Sequence, residues 1–200
     1  MRLVRPRGPV VPQRGSQSGS AGSYVPELEY LRGARVVVDV GAGRGQKALW
    51  LAQRGSYVVA LDINERYAER MPRHPLLERV VAAAEALPVR SGAAEGVLAW
   101  NVLMWAEAPR AAAELMRVAR PGARLALSMY KVRTGRPWTR RWVRGLLESL
   151  GWRVEGERYS GVQYRVVAGL SEKRPAARVV RAEGVEGLGA AALEAEAIPA

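Results

Sequence analysis

The chain has 200 residues, 48% of them apolar, and carries 31 Lys or Arg against 19 Asp or Glu, a net charge of +12. That length suits one compact unit with a sizeable core, and the positive balance points to an anionic partner or to a solubility strategy without deciding between them. The lack of cysteine excludes disulfides, thiolate metal sites and cysteine-nucleophile chemistry, the single histidine argues against a metal cluster, and no apolar run approaches the about 20 residues of a membrane helix.

Residues 1–23, rich in Arg, Pro, Gly, Ser and Gln, read as a flexible basic segment without the apolar core of a secretory signal. A lid over a ligand, with Tyr24 as a contact, is the functional alternative. A cytoplasmic chain is expected. From 24 to 172 strand and helix patterns alternate, which argues for one domain built on a parallel sheet covered on both faces. The first strand, near 35–40, is a valine run apolar on nearly every position, as in the centre of such a sheet. It stops at Gly41-Ala42-Gly43-Arg44-Gly45, where glycines tolerate positive φ and let a ligand approach the backbone. A helix over 46–54 follows, with its free N–H groups turned back toward the loop.

The second strand, 57–62, ends in Asp62, at the tip where doubly wound folds hydrogen-bond an adenosine ribose. A helix near 65–71 leads to Met71–Pro75, in which His74 reads as a solvated loop residue. Strands are expected near 79–83 and 96–101, a helix near 108–119, a turn at Pro121-Gly122 and a strand at 123–130. The run 131–144 then holds Lys131, Arg133, Arg136, Arg140, Arg141 and Arg144 with no acid, interleaved with Trp138 and Trp142. Arginine forks suit phosphate or carboxylate. The row Trp138, Trp142, Leu146, Leu150 reads equally as the sheet-facing side of a helix near 138–150. Strands near 152–159 and 162–169, joined at Ser160-Gly161, form an antiparallel hairpin. Residues 173–200 read as a flexible or weakly helical tail.

Dinucleotide sites prefer G-x-G-x-x-G, whereas Gln46 stands in the third-glycine place here. The stretch Asp39-Val40-Gly41-Ala42-Gly43-Arg44-Gly45 resembles motif I of the class I S-adenosylmethionine-dependent methyltransferases, in which an acid at the position of Asp39 lies near the ammonium of the cofactor's methionine. The resemblance covers about residues 30–170 and is strongest to small enzymes related to quinone-biosynthesis methyltransferases. Ala84-Glu85-Ala86-Leu87-Pro88 is similar to the family segment that flanks the adenine. The family acid that receives the adenine amino group falls at Ala83, so that contact is absent or comes from Glu85 or backbone. Gly96 to Asn101 resembles the fourth strand and its following loop, with the strand-opening acid displaced to Glu95, and Arg120 to Met129 resembles the P-G turn and fifth strand.

The resemblance implies a doubly wound, mostly parallel, seven-stranded Rossmann-like α/β sheet with a C-terminal antiparallel hairpin. It implies S-adenosylmethionine as cofactor, contacted by Asp39, Gly41, Ala42, Gly43, Gly45, Asp62, Ile63, Ala84, Glu85 and Asn101. Asn101, Trp105, Tyr130 and Tyr164 stand nearest the transferring methyl, with Asn101 and Tyr130 as catalytic candidates and packing as the alternative for the aromatic groups. The implied activity is methyl transfer by in-line displacement to an unassigned small-molecule acceptor, for which the positive charge and the arginine-rich run suggest an anionic group. Two alternatives stay open: an RNA methyltransferase that uses the 131–144 segment, and a non-catalytic cofactor-binding protein of the same fold. No metal or membrane partner is expected, and the chain is expected to be a monomer or homodimer.

Overall fold

A computed structural model describes residues 25–130 and 139–171. The expected N-terminal segment and C-terminal tail, Tyr24, and the run 131–138 with Trp138 lie outside the described residues.

A short 3-10 helix, Pro26–Leu31, opens the described chain. There follow β1 (Val36–Val40), α1 (Gln46–Ala52), β2 (Tyr57–Asp62), α2 (Glu65–Arg70), β3 (Leu77–Val81) and β4 (Ala94–Trp100). α3 (Ala108–Val118), β5 (Ala119–Tyr130), α4 (Arg140–Ser149), β6 (Trp152–Tyr159) and β7 (Gln163–Leu170) complete it. The strands form one sheet in the order β3-β2-β1-β4-β5-β7-β6. Those from β3 to β5 are parallel, and β7 runs antiparallel to both β5 and β6.

The expected valine run lies at the centre. Val37 and Val38 are both fully buried but on opposite faces, so each feeds a different core. Burying such a side chain contributes about 1.5–3 kcal/mol. The 3-10 helix, α1 and α2 cover one face through Leu28, Leu31, Leu51 and Ala68. Helices α3 and α4 cover the other, α3 with Ala108, Ala111, Ala112, Leu115 and Val118 in helical register.

Several boundaries differ from the sequence reading. β3 begins at Leu77, two residues before the expected start, because its ladder with β2 already opens at Val58 and Leu77. The Pro121-Gly122 turn is contained within β5: Ala119 pairs with Ala94 and Arg124 with Gly96, so the intervening residues bulge out of the ladder. In α4 the buried seam is Val143 and Leu147, one position along from the expected row, while Trp142 and Leu150 pack at its margin. Glu95, the displaced strand-opening acid, accepts the Arg35 N–H at 2.7 Å and pairs with Arg120 at 3.1 Å. It therefore ties β1, β4 and β5 together at the N-terminal end of the sheet, opposite the glycine loop.

Candidate functional site

The chain leaves β1 for β2 and β3 on one side, then returns to β4 and β5 on the other. The crevice at the C-terminal ends of β1 and β4 is thus the topological switch point, where open α/β sheets bind ligands. The glycine loop after β1, Asp62 at the tip of β2 and Asn101 after β4 stand at these strand ends, and the Ala84–Pro88 segment follows β3.

Gly41, Gly43 and Gly45 have φ of 66°, 57° and 72°, all left-handed. A Cβ on Gly41 would lie 2.6 Å from Val102 Cγ2, so packing against the loop after β4 requires that glycine. A Cβ on Gly43 would meet nothing within 4 Å. It would project into open space, which makes Gly43 the exposed wall of a cradle.

Asp62 fastens this loop. Its Oδ2 accepts the Gly43 N–H at 2.7 Å and its Oδ1 accepts the Asn64 N–H at 2.9 Å, while the Ala42 N–H donates to Leu61 O at 2.9 Å. Each carboxylate oxygen keeps a second lone pair for a ligand hydroxyl. Ile63 beside it is 73% exposed, an apolar face presented beyond the strand.

Asp39 is 1% exposed, and its Oδ2 has no hydrogen-bond partner among the described residues. Burial pushes its carboxyl up to about 7, Lys47 opposes that rise, and Asp62 adds to it. An unpartnered buried carboxyl oxygen is expensive and calls for a donor. A ligand ammonium is such a donor, so the residues present fit the amino-acid end of S-adenosylmethionine.

The Ala84–Pro88 segment is pinned from α3. Glu114 accepts the Leu87 N–H at 2.7 Å, and Arg117 donates to Leu87 O at 2.9 Å. Ala84 is buried, and Glu85 Oε1 accepts the Glu107 N–H at 2.7 Å just before α3. One oxygen of Glu85 is therefore already engaged, and Ala83 brings no polar side chain to the site.

Asn101 has a φ of 59°, the sole non-glycine with positive φ among the described residues. Asparagine tolerates this conformation better than most residues, and such strain concentrates at functional loops. Its Oδ1 accepts Ser128 Oγ–H at 2.8 Å and Gln163 Nε2–H at 3.3 Å. The side chain is thus held from β5 and β7. Gln163 Oε1 in turn accepts Arg165 Nε–H at 2.9 Å, and Arg165 pairs with Glu27 at 3.6 Å.

Tyr130 ends β5 and is 45% exposed. It lines a cavity of about 480 Å³ together with Tyr159, Tyr164, Thr139, Arg140 and Arg141. Tyr164 is 5% exposed, and burial pushes its hydroxyl well above the ordinary tyrosine range. Trp105 is 75% exposed in the turn after β4 and is not gathered into this wall. His74 lies in the expected loop, partly exposed, with Nδ1 accepting the Leu76 N–H at 3.2 Å.

Sequence reasoning missed Lys47, Ser128 and Gln163. Lys47 carried a signal, since it shares an i, i+4 row with Leu51 on the inward side of α1. Ser128 and Gln163 carried none, because strand register alone brings them to Asn101.

A doubly wound sheet with a glycine loop and two acids beside its switch point defines a Rossmann-like nucleoside-binding domain. Residues 38–127 match the family described as methyltransferase domain. An uncharacterized methyltransferase of Mycobacterium tuberculosis is 36% identical over 133 residues, 64% of this chain and 53% of that protein. The chain spans about half the length of the curated relatives it matches first. Among solved structures, a Burkholderia thailandensis 1,6-didemethyltoxoflavin-N1-methyltransferase with bound S-adenosylhomocysteine superposes with a TM-score of 0.62 at 18% identity, covering 76% of this chain and 80% of that one. The cyclase SpnF superposes at 0.65 and 15% identity, covering 72% and 78%. Residues 38–127 thus match a methyltransferase domain on a fold shared with S-adenosylmethionine-dependent methyltransferases, and S-adenosylmethionine is the cofactor that this likeness supports.

Proposed function

We propose that this chain, with residues 24–172 as its catalytic domain, transfers a methyl group by in-line displacement to a small acceptor bearing an anionic group. The observation that carries the reading is Asp39, buried beside an open glycine cradle with one oxygen unpartnered. When bound, S-adenosylmethionine supplies a methyl already activated by its sulfonium. What remains for the protein is to hold, orient and exclude water, and holding two reactants in line contributes about 7–11 kcal/mol.

In this reading Asp39, Gly41, Ala42, Gly43 and Gly45 hold the methionine end. Asp62 receives the ribose hydroxyls, Ile63 covers the adenine, and Ala84 and Glu85 border it. Asn101, fixed through its Oδ1 by Ser128 and Gln163, keeps its Nδ2 to orient the acceptor. Tyr130 stands on the acceptor side, in a cavity whose tyrosines and arginines favour a planar anion. Arg140 is engaged with Glu157 at 3.2 Å, whereas Arg141 makes no hydrogen bond or ion pair among the described residues and remains available.

Calorimetric titration with S-adenosylhomocysteine tests the cofactor half, with saturable 1:1 binding expected. Incubation with S-adenosylmethionine and a panel of aromatic carboxylates and phosphates beside their neutral esters and amides, read by mass spectrometry, tests the acceptor half. Cofactor binding with turnover only on neutral acceptors would overturn the anionic assignment, and turnover on none would favour a non-catalytic binder.

RNA as acceptor is the second reading, supported by the +12 charge and the unpaired Arg141. It requires RNA affinity that falls by about 0.7 log units per log unit of salt for each phosphate contacted. Salt-independent or absent RNA binding removes it.

A further inference from the structure

Lys47 is a cation with an unfilled coordination. α1 turns it inward on the row of Leu51, and its Nζ stands 5.5 Å from the centroid of the Trp100 ring. Among the described residues it makes neither a hydrogen bond nor an ion pair. An indole face attracts an ammonium but accepts no conventional hydrogen bond from it. Burial holds the Lys47 pKa below the ordinary lysine value, Asp39 acts against that, and Arg165 reinforces it.

Lys47 and Asp39 are close enough to feel each other's charge, yet they form no ion pair. Each therefore has a valence open on its own side: a buried carboxyl oxygen without a donor, and a sheltered ammonium without an acceptor. One ligand group satisfies both at once, namely an ammonium and a carboxylate on the same carbon. Other cations are less suited. Arg165 also stands over Trp100, at 5.6 Å, but its Nε is committed to Gln163 at 2.9 Å and its Nη1 to Glu27 at 3.6 Å. Arg44, in the glycine loop, is exposed, so solvent screens its charge.

We propose that Lys47 binds the carboxylate of the cofactor's amino-acid end, so that Lys47 and Asp39 together select a zwitterion. This rests on the cofactor reading above. The pairing explains why a lysine is kept half-sheltered in the first turn of a core helix, where a leucine would pack without desolvation cost.

The test is calorimetric, on the full chain, with three ligands: S-adenosylhomocysteine, its decarboxylated analogue, and 5′-methylthioadenosine, which lacks the whole amino-acid end. Lys47→Met should weaken S-adenosylhomocysteine about tenfold or more, the loss expected for a charge-assisted hydrogen bond, and leave the other two within about twofold. Lys47→Gln should fall between. Arg44→Met should leave all three unchanged.

Equal losses for all three ligands would mean that Lys47 merely supports the loop, and would overturn the inference. A selective loss of S-adenosylhomocysteine in Arg44→Met would overturn it too, by placing the carboxylate on the loop arginine. Should the Lys47 variants fail to fold, the wild-type protein decides, since equal affinity for S-adenosylhomocysteine and its decarboxylated analogue leaves no carboxylate seat to assign. A wild-type protein that binds 5′-methylthioadenosine but shows no such preference separates this failure from that of the cofactor reading, in which none of the three binds.

Discussion

Asp39→Asn exposes the cost at which the site is kept. The side chain is 1% exposed, and its carboxyl rises from the ordinary 3.8 to about 7, chiefly through burial. A carboxyl whose folded pKa is raised gives the unfolded chain first claim on losing the proton. Its contribution to stability is complete below 3.8 and is lost as pH rises through about 7. Each pH unit in that window is worth about 1.4 kcal/mol, so ionisation costs the folded protein about 4 kcal/mol in all, of which about 3 kcal/mol falls between pH 5 and 8. The asparagine variant carries an amide of nearly the same shape that does not titrate. Urea denaturation of both proteins without ligand, at pH 5 and pH 8, should show the variant gaining on wild type by about 3 kcal/mol between the two. Groups common to both proteins cancel in that comparison. A gap that stays constant with pH would refute the reasoning, because it would mean that Asp39 ionises in the fold as freely as in the unfolded chain. The functional counterpart is an affinity of wild type for S-adenosylhomocysteine that rises up to tenfold per pH unit below about 7 and then levels, while the variant binds weakly and without that slope.

Other residues give sharper single measurements. Asp62→Ala strips the acceptor from the Gly43 and Asn64 N–H groups as well as from a ribose, and should raise the calorimetric Kd for S-adenosylhomocysteine at least tenfold, with unchanged affinity removing Asp62 from the site. Gly43→Ala should cost about 1–2 kcal/mol for its left-handed backbone, roughly 2–8 °C in Tm, yet lose far more in cofactor affinity because its Cβ enters the cradle. Gly41→Ala should be the less stable of the two in the same thermal scan, since its Cβ collides with Val102. Gln163→Leu leaves Asn101 Oδ1 with Ser128 alone and Arg165 Nε without its acceptor, so it should slow methyl transfer at saturating substrate more than it weakens S-adenosylhomocysteine. The reverse pattern, with affinity lost and rate kept, would take Asn101 away from the acceptor.

The valine run, the glycine loop and Asp62 were legible because their chemistry is local: β-branched strands, left-handed turns and an acid at a strand tip each leave a mark within a few residues. The 3-10 helix at Pro26–Leu31 was not read, since six residues show no sustained period, although Leu28 and Leu31 are fully buried. β3 was placed late because Glu78 and Arg79 are exposed on an edge strand and blur its start. The α4 seam was displaced by one residue because Trp142 and Leu150 outweigh Val143 in hydrophobic pattern, while the sheet selected the smaller valine for close packing. The polar chain from Asn101 through Gln163 to Arg165 and Glu27 was invisible, because its members come from different strands and from the 3-10 helix and meet only by register.

The position of β7 between β5 and β6 has a consequence for how the molecule is made. During synthesis β6 emerges with no edge to join, because its sole neighbouring strand among the described residues is the one that follows it. Until residue 163 leaves the ribosome, β5 presents an open edge and Asn101 lacks one of its two anchors. The glycine loop is closed by contacts that reach no further along the chain than Val102, whereas the anchoring of Asn101 is completed only when β7 joins β5. A nascent chain of this kind has its glycine loop fastened to Asp62 before Asn101 is fully held.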